Sequence, residues 1–438
     1  MFHFVSLRER LASSQAVRTL LLWSATGVIG VLAVVFAAGA DLAIHYTEIW
    51  SRYAWWMPLV VCPLGLIVVR WLTRFVPETS GSGIPQTLAA LETRDPGLGA
   101  KLLSIPVGLG KIVLTCLAML AGGSVGREGP TIHVGASIMK GVSRLLGVAD
   151  ARFERGLITA GAAAGVAAAF NAPLTGIIFA IEELNRDSQQ RIRGDLLMAV
   201  VVAGLVATYL HGNYRYFGVH SFSLARSDML PMLLTSILAG LAGGLFSRVL
   251  LFGVRRLAPF TARYPYRVAG ACGLVLAVLA LTTGNLTFGT GYAQAEALLS
   301  GDPSLQLWYA PAKMLATLVS YFSGVPGGFF APSLAVGAGI GGQMASFFPD
   351  TAAGGLVMLG MVAYFAGVTQ APLTAFVIVM EMTDSSDMLL PLMLAAIIGR
   401  GAARLVCRDL LYHRLAQPFL GRGQHGKPSH EEIIEKSG

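Results

Sequence analysis

Long apolar runs separated by short polar breaks dominate this chain. Runs near 19–49, 55–75, 102–120, 157–170, 196–210, 230–251, 268–281 and 314–321 contain few charged side chains. A helix needs about 20 apolar residues to cross the hydrocarbon core of a bilayer. Several runs reach that length, whereas others are shorter or are cut by glycine and proline. The pattern predicts an all-α polytopic membrane protein in which some helices stop inside the protein.

The overall composition agrees with this interpretation. Hydrophobic residues make up 54% of the chain and charged residues 13%, against about 25% charged residues in soluble domains. The net charge of +8 does not indicate nucleic-acid binding, since arginines gather near the two ends, at 8–18 and 400–422. By the positive-inside rule, this distribution predicts that both termini face the cytoplasm. The four cysteines lack the spacing of a metal or redox site.

The second part of the chain repeats motifs of the first part. Asn171 begins an Asn-Ala-Pro-Leu-Thr segment, and Gln370 begins a Gln-Ala-Pro-Leu-Thr segment 199 residues later. Glu182 has a counterpart at the same offset, Glu381. Two further pairs of glycine-containing segments recur at similar offsets: 126–136 with 328–338, and 81–83 with 289–291. These pairs predict two related halves, which in membrane transporters commonly lie in opposite orientations.

The glycine-rich breaks carry the candidate chemistry. They span 81–85, 126–130 and 324–332, and each precedes a possible helix start. Glycine lets the backbone leave a helix, and the N–H groups at a new helix N-terminus favour an anion. Arg127 and Glu128 place opposite charges within apolar sequence, where an ionisable residue indicates a functional site. The alternative is a loop at the membrane surface with both side chains solvated.

These segments, followed by Tyr412, resemble the CLC family of chloride channels and proton-coupled chloride transporters. The motifs are Gly-Ser-Gly-Ile-Pro at 81–85, Gly-Arg-Glu-Gly-Pro at 126–130 and Gly-Phe-Phe-Ala-Pro at 328–332. The resemblance covers about residues 20–415. It implies the CLC-type fold, with two inverted-repeat halves and many short, tilted or broken helices. It also implies a homodimer with one independent pathway in each subunit.

The resemblance implies three segments along the chain. They are a cytoplasmic N-terminal segment at 1–18, a transmembrane domain at 19–415 with repeat halves at about 50–215 and 255–410, and a short cytoplasmic tail at 416–438. About 26 residues follow Tyr412, so we expect a prokaryotic-type member without paired cytoplasmic nucleotide-binding (CBS) modules, located in the plasma (inner) membrane. The expected partners are chloride and similar anions, protons and membrane lipid. No nucleic acid, metal or cofactor is expected.

The resemblance also implies a central chloride site. In the family, the residues matching Ser82 and Tyr412 donate their hydroxyl groups to the anion. The predicted backbone contributors are four residues near two helix starts: Phe329, Phe330, Ala331 and Gly129. The sequence departs from the family pattern close to Ser82: Gln86 occupies a position where some bacterial members carry an acidic residue.

Two glutamates are implied to handle protons. The residue matching Glu128 is the gate: its ionised carboxylate occupies an anion position, and its protonated form swings away. A carboxylate and a chloride compete for the same amide donors, so one side chain links the two ions. Glu183 matches the glutamate that takes protons from the cytoplasm in exchangers, and the repeat opposes it with Met382, whereas Glu182 has a glutamate counterpart. The alternative is that Glu182 and Glu183 cap a helix end and pair with Arg186.

Three further side chains are candidates for supporting roles. Lys111 and Arg127 either raise the local potential for anions or extend to a membrane interface. Glu182 is included because it adjoins Glu183. His133 is expected to pack or to find a local partner rather than to relay protons.

The predicted function is exchange of chloride for protons across the plasma membrane. The alternative is a passive voltage- or proton-gated chloride channel on the same fold, which needs no inner glutamate such as Glu183. A third class, an intramembrane enzyme with paired carboxylates, has no His-Glu-x-x-His or twin-Asp pattern to support it. We therefore expect a transporter and no enzymatic activity.

Overall fold

The computed structural model describes residues 15–185, 194–212, 216–219, 222, 228–302 and 307–424. These residues form helices joined by short loops, and the sheet-like pairing among them consists of two isolated bridges. The predicted all-α class is therefore confirmed. Residues 186–193, whose charged sequence predicts a cytoplasmic loop, lie outside the described residues, as do most of the predicted N-terminal segment and the end of the predicted tail.

Helices succeed one another along both parts of the described chain. The first half contains α1 (Gln15–Tyr53), α2 (Met57–Thr73), α3 (Ile84–Glu92), α4 (Pro96–Leu102), α5 (Ile105–Leu120), α6 (Glu128–Leu145), α7 (Ala151–Phe170), α8 (Pro173–Phe179, continued by a π-helical turn at Ala180–Leu184) and α9 (Gly194–His211). The second half contains α10 (Met229–Arg263), α11 (Pro265–Thr283), α12 (Tyr292–Leu299), α13 (Tyr309–Phe322), α14 (Phe330–Phe347), α15 (Ala353–Thr369), α16 (Pro372–Thr383) and α17 (Leu389–Val406). Helix α18 (Leu411–Gln424) follows both halves.

Several helices extend beyond the apolar runs that predicted them. Helix α1 begins at Gln15, so residues 15–18 of the predicted N-terminal segment are helical, and α10 continues to Arg263. The first part of the predicted tail at 416–438 is also helical, because α18 reaches Gln424. An apolar run indicates which residues contact the hydrocarbon core of a membrane. It does not give the ends of the helix, because the helical hydrogen bonds continue into polar sequence.

Five segments among the described residues are long and apolar enough to cross a membrane: Gln15–Tyr53, Pro96–Leu120, Met229–Arg263, Pro265–Thr283 and Ser386–Val406. Other apolar helices are shorter: Met57–Thr73, Leu196–Leu210, Ala353–Thr369 and Pro372–Thr383. Helix α15 is buried from Gly354 to Thr369, as expected of a helix that is apolar on all sides. The shorter helices therefore include one that lies wholly in the interior of the protein.

Close helix contacts are duplicated in the two halves. A Cβ atom at Gly135 on α6 would lie 2.1 Å from the carbonyl oxygen of Gly161 on α7. A Cβ atom at Gly337 on α14 would lie 2.5 Å from the carbonyl oxygen of Gly360 on α15. Glycine at these positions lets the helices that begin at the glycine-rich breaks pack directly against their neighbours.

Candidate functional site: an anion pocket closed by a glutamate

The three glycine-rich breaks meet in space. The N–H of Gly81 donates to the carbonyl oxygen of Val325 at 3.3 Å, and that of Gly327 donates to Gly81 at 3.2 Å. Gly126 and Gly328 exchange a pair of hydrogen bonds of 2.6 and 2.8 Å. These bonds join loops from both halves, so the N-termini of α3, α6 and α14 are brought to one region.

Ser82 lies in a loop whose conformation requires glycine at position 83. Gly83 has φ of +104°, and a Cβ atom there would lie 2.9 Å from the carbonyl oxygen of Gly129. Gln86 secures the loop, because its side chain accepts from the Gly83 N–H at 3.1 Å and donates to the Ser80 carbonyl at 2.5 Å. The Gln86 side-chain amide therefore holds the Ser82 loop in place, at a position where some bacterial family members carry an acidic residue.

The Ser82 hydroxyl and the Tyr412 hydroxyl are buried and unpaired. Ser82 Oγ lies 2.5 Å from where a Cβ atom of Gly129 would stand, directly over the first turn of α6. Tyr412, near the start of α18, stacks its ring on Phe329 with centroids 5.2 Å apart. Neither hydroxyl has a hydrogen-bond partner in the described part of the protein. Buried polar atoms are usually hydrogen-bonded to protein, water or a ligand, so both hydroxyls are available to donate to a bound species.

Glu128 lies at the first position of α6 and is fully buried. Its carboxylate folds back over Gly126, since Oε2 lies 2.3 Å from where a Cβ atom of that residue would stand. It faces its own N–H and that of Ala331, as well as the Tyr216 side chain. These approaches fall short of full hydrogen bonds within the described residues. The carboxylate thus lies against helix N-terminal amides, where an anion is favoured.

The Phe330 side chain packs in the interior of the protein. Its ring lies 4.2 Å from Phe365 and 5.3 Å from Phe170, measured between centroids. Both Phe329 and Phe330 are buried at the start of α14, where backbone N–H groups have no partner within the helix. The pocket therefore combines apolar rings with polar backbone donors.

Lys111 is buried and holds the serine loop in place. Its Nζ donates to the Thr79 carbonyl oxygen at 2.7 Å, so the side chain does not extend to an interface. Lys313, which sequence reasoning missed, donates in the same way to the carbonyls of Thr287 and Gly289 at 2.9 and 2.7 Å. Lys313 follows Lys111 by 202 residues, the offset already seen for the glycine-rich motifs, and that offset was the signal available in the sequence.

Arg127 also remains inside the protein. Its Nη1 donates to Asp41 Oδ1 at 2.9 Å and to the Ala37 carbonyl at 3.0 Å, both on α1. Together with Asp41, Tyr216 and Tyr292 it lines a cavity of about 450 Å³, here called the Arg127 cavity. His133 is likewise buried, with Nε2 at 2.9 Å from the Leu102 carbonyl oxygen, which agrees with the predicted local partner.

Glu182 and Glu183 have different surroundings although they are adjacent. Glu182 accepts hydrogen bonds from the N–H groups of Leu373 and Thr374 at 3.1 and 2.7 Å, and from the Thr374 hydroxyl. Glu381 caps α8 in the same manner, through Leu174 and Thr175. Glu182 therefore caps a helix end, as in the capping alternative, but that helix belongs to the other half. The pairing with Arg186 lies outside the described residues.

Glu183 takes no part in this reciprocal capping. It lies in the π-helical turn that follows α8, and its side chain is 1% exposed. The carboxylates of Glu183 and Glu128 both act electrostatically on the Tyr412 hydroxyl. Tyr412 is therefore close to both predicted proton-handling residues.

Comparison with known proteins identifies the family. The family model described as voltage gated chloride channel matches residues 64–404. This chain belongs to the CLC family. The H(+)/Cl(-) exchange transporter ClcA of Yersinia pestis bv. Antiqua (strain Angola) is 31% identical over 434 residues, covering 93% of this chain and 89% of the relative. The protein of the same name from Citrobacter koseri is 31% identical, covering 94% of this chain and 86% of the relative.

Solved structures of CLC proteins share the fold. A slow cyanobacterial Cl-/H+ antiporter superposes with a TM-score of 0.80 at 26% identity, covering 93% of this chain and 99% of that protein. A eukaryotic CLC transporter superposes with a TM-score of 0.74 at 23% identity. The predicted CLC-type fold is therefore confirmed.

Proposed function

We propose that this protein exchanges chloride for protons across the plasma membrane, with Glu128 as the gate and Glu183 as the inner proton-transfer residue. The observation that carries the proposal is the buried pocket in which two unpaired hydroxyls, Ser82 and Tyr412, adjoin helix N-termini that the Glu128 carboxylate already faces. Hydroxyl and amide donors suit a halide, which accepts hydrogen bonds and needs no cation.

Chloride and the Glu128 carboxylate compete for the amides at the starts of α6 and α14. Protonation removes the charge of the carboxyl group, so its attraction to those donors weakens and chloride takes the position. Chloride turnover is therefore expected to rise as the pH falls. One side chain would then carry the proton and regulate the anion.

Glu183 favours an exchanger over a passive channel. It is buried, it acts electrostatically on Tyr412 as Glu128 does, and the turn that holds it precedes residues 186–193, whose charged sequence predicts a cytoplasmic position. A passive channel has no use for a second buried carboxylate on the proton route. The names of the bacterial relatives support the same choice.

Orientation and assembly complete the proposal. Both termini face the cytoplasm, which directs the Arg127 cavity outward, since Asp41 lies toward the far end of α1. The protein works as a homodimer in membrane lipid with one pathway for each subunit. It is a transporter and not an enzyme: Ser124, within a Gly-x-Ser-x-Gly sequence, shares a 3.0 Å hydrogen bond with Thr317 in the buried interior.

Purified protein in liposomes tests the proposal. With a chloride gradient imposed across the membrane and the membrane potential held fixed, the protein should drive protons against their own gradient. Dissipation of the chloride gradient without proton movement would establish the passive channel instead.

Removing either hydroxyl of the chloride site should weaken anion binding. Ser82→Ala and Tyr412→Phe each delete one donor to a charged ligand, which lowers chloride affinity about tenfold. Phenylalanine keeps the stacking on Phe329. Calorimetric titration with chloride measures the change, and Thr290→Ala, at the equivalent position of the second half, is the matched control with unchanged affinity. Wild-type affinity in both site variants would contradict the assignment.

A further inference from the structure

Ring packing, and not a hydrogen bond of the hydroxyl, holds the Tyr412 side chain in place. The hydroxyl has no hydrogen-bond partner in the described part of the protein, and the residue is 1% exposed. The Tyr412 ring stacks on that of Phe329, with centroids 5.2 Å apart and planes inclined by 12°. The hydroxyl oxygen is bonded to the ring, so a neighbour on the face of the ring restricts where that oxygen can lie.

Phe329 is itself packed from two other sides. The Phe246 ring of α10 lies 5.7 Å away and the Tyr321 ring of α13 lies 5.8 Å away, measured between centroids, with planes inclined by 56° and 64°. Aromatic pairs favour such tilted and edge-to-face arrangements. The Phe329 ring is therefore a fixed support for Tyr412 and not a side chain that moves freely with it.

The side chains of Phe329 and Phe330 pack against different parts of the protein although the residues are adjacent. Phe330 contacts Phe365 and Phe170, whereas Phe329 contacts Tyr412 on α18. Phe329 also immediately precedes α14, at the helix start where backbone N–H groups lack helical partners. One residue thus links the amide donors of the pocket to the tyrosine that offers a hydroxyl.

A hydroxyl contributes fully to anion binding only when it already points at the anion. Hydrogen bonds weaken steeply as their angle departs from linearity. A tyrosine ring that could tilt would have to be ordered on binding, which costs part of the affinity. An aliphatic side chain at position 329 would fill space but would offer no flat face on which the Tyr412 ring could stack.

We propose that Phe329 is a positioning residue whose ring holds the Tyr412 hydroxyl in the orientation that donates to chloride. The inference rests on the proposed chloride site. This role belongs to the side chain of Phe329. It is separate from the backbone N–H groups at the start of α14, which other residues at this position would also supply.

Phe329→Leu tests the proposal, because it removes the ring and keeps an apolar side chain and the backbone N–H. Chloride affinity, measured by calorimetric titration, should fall about fivefold, as for the loss of one aromatic pair. Phe329→Met fills the space with a flexible, unbranched side chain and should show a similar loss. It takes the place of Phe329→Leu if that variant does not fold.

Two further measurements separate positioning from general packing. In a Tyr412→Phe background there is no hydroxyl to position, so adding Phe329→Leu should cause no further loss of chloride affinity. Phe217→Leu is the matched control. Phe217 stacks on Tyr292 with centroids 5.4 Å apart and the same 12° inclination, but that tyrosine is not a predicted chloride donor. Chloride affinity in this variant should stay that of the wild type.

Three results would overturn the proposal. They are wild-type affinity in Phe329→Leu, an undiminished further loss when that change is added to Tyr412→Phe, and an equal loss in Phe217→Leu. If the wild-type protein itself binds no chloride, the proposed chloride site fails, whatever Phe329 does.

Discussion

Replacing Glu128 with glutamine is expected to abolish proton movement while chloride continues to flow down its gradient. Glutamine keeps the size of the side chain but carries neither the charge that competes with chloride nor a transferable proton. The anion position is then never closed by a carboxylate, and chloride flux becomes independent of pH. Flux of both ions through liposomes measures the result directly.

Glu154→Gln is the matched control for this variant. Glu154 forms an ion pair with Lys140 toward the other end of α6, so it touches the same helix away from the pocket. Its substitution should leave the proton-to-chloride ratio unchanged. Chloride uptake that still responds to a pH gradient in Glu128→Gln would disprove the gate assignment.

Glu183→Gln is expected to remove proton transport with chloride transport retained. The chloride donors, Ser82, Tyr412 and the amides of α14, are untouched, whereas the inner end of the proton route loses its titratable group. The expected signature is chloride efflux with no measurable proton counterflow, recorded at several values of the internal pH.

Glu182→Gln is the matched control, because Glu182 is the same residue type at the adjacent position. Glu182→Gln weakens the cap on α16, which reduces the free energy of unfolding by about 1 kcal/mol, as for other helix caps. Its proton-to-chloride ratio should stay that of the wild type. Equal loss of proton transport in the two variants would mean that Glu183 acts only by supporting the fold.

The sequence predicts the site better than it predicts the supports around it. The glycine-rich breaks place Ser82, Glu128 and Phe330 at helix starts, because glycine and proline leave few other conformations there. The partners of Lys111 and Gln86 could not be foreseen, since they are backbone groups whose positions depend on tertiary packing. An unpaired hydroxyl such as that of Tyr412 is likewise visible only in three dimensions.

The sequence repeat also does not reveal tertiary contacts. It identifies Glu182 and Glu381 as equivalent residues, which predicts a common role. It does not reveal that each glutamate caps the helix next to the other, because the contacting residues are about 190 to 210 positions apart along the chain. Equivalence can be read from spacing, but an exchange of partners between halves cannot.

This exchange of partners restricts how the protein can move during transport. Tilting one half as a rigid body against the other would break the six hydrogen bonds made by the two capping glutamates, together with the backbone pairs that join the glycine loops. Many secondary transporters work by such rocking. Here the backbone is expected to stay still through the cycle, so the speed of turnover would be limited by side-chain rotation and proton transfer.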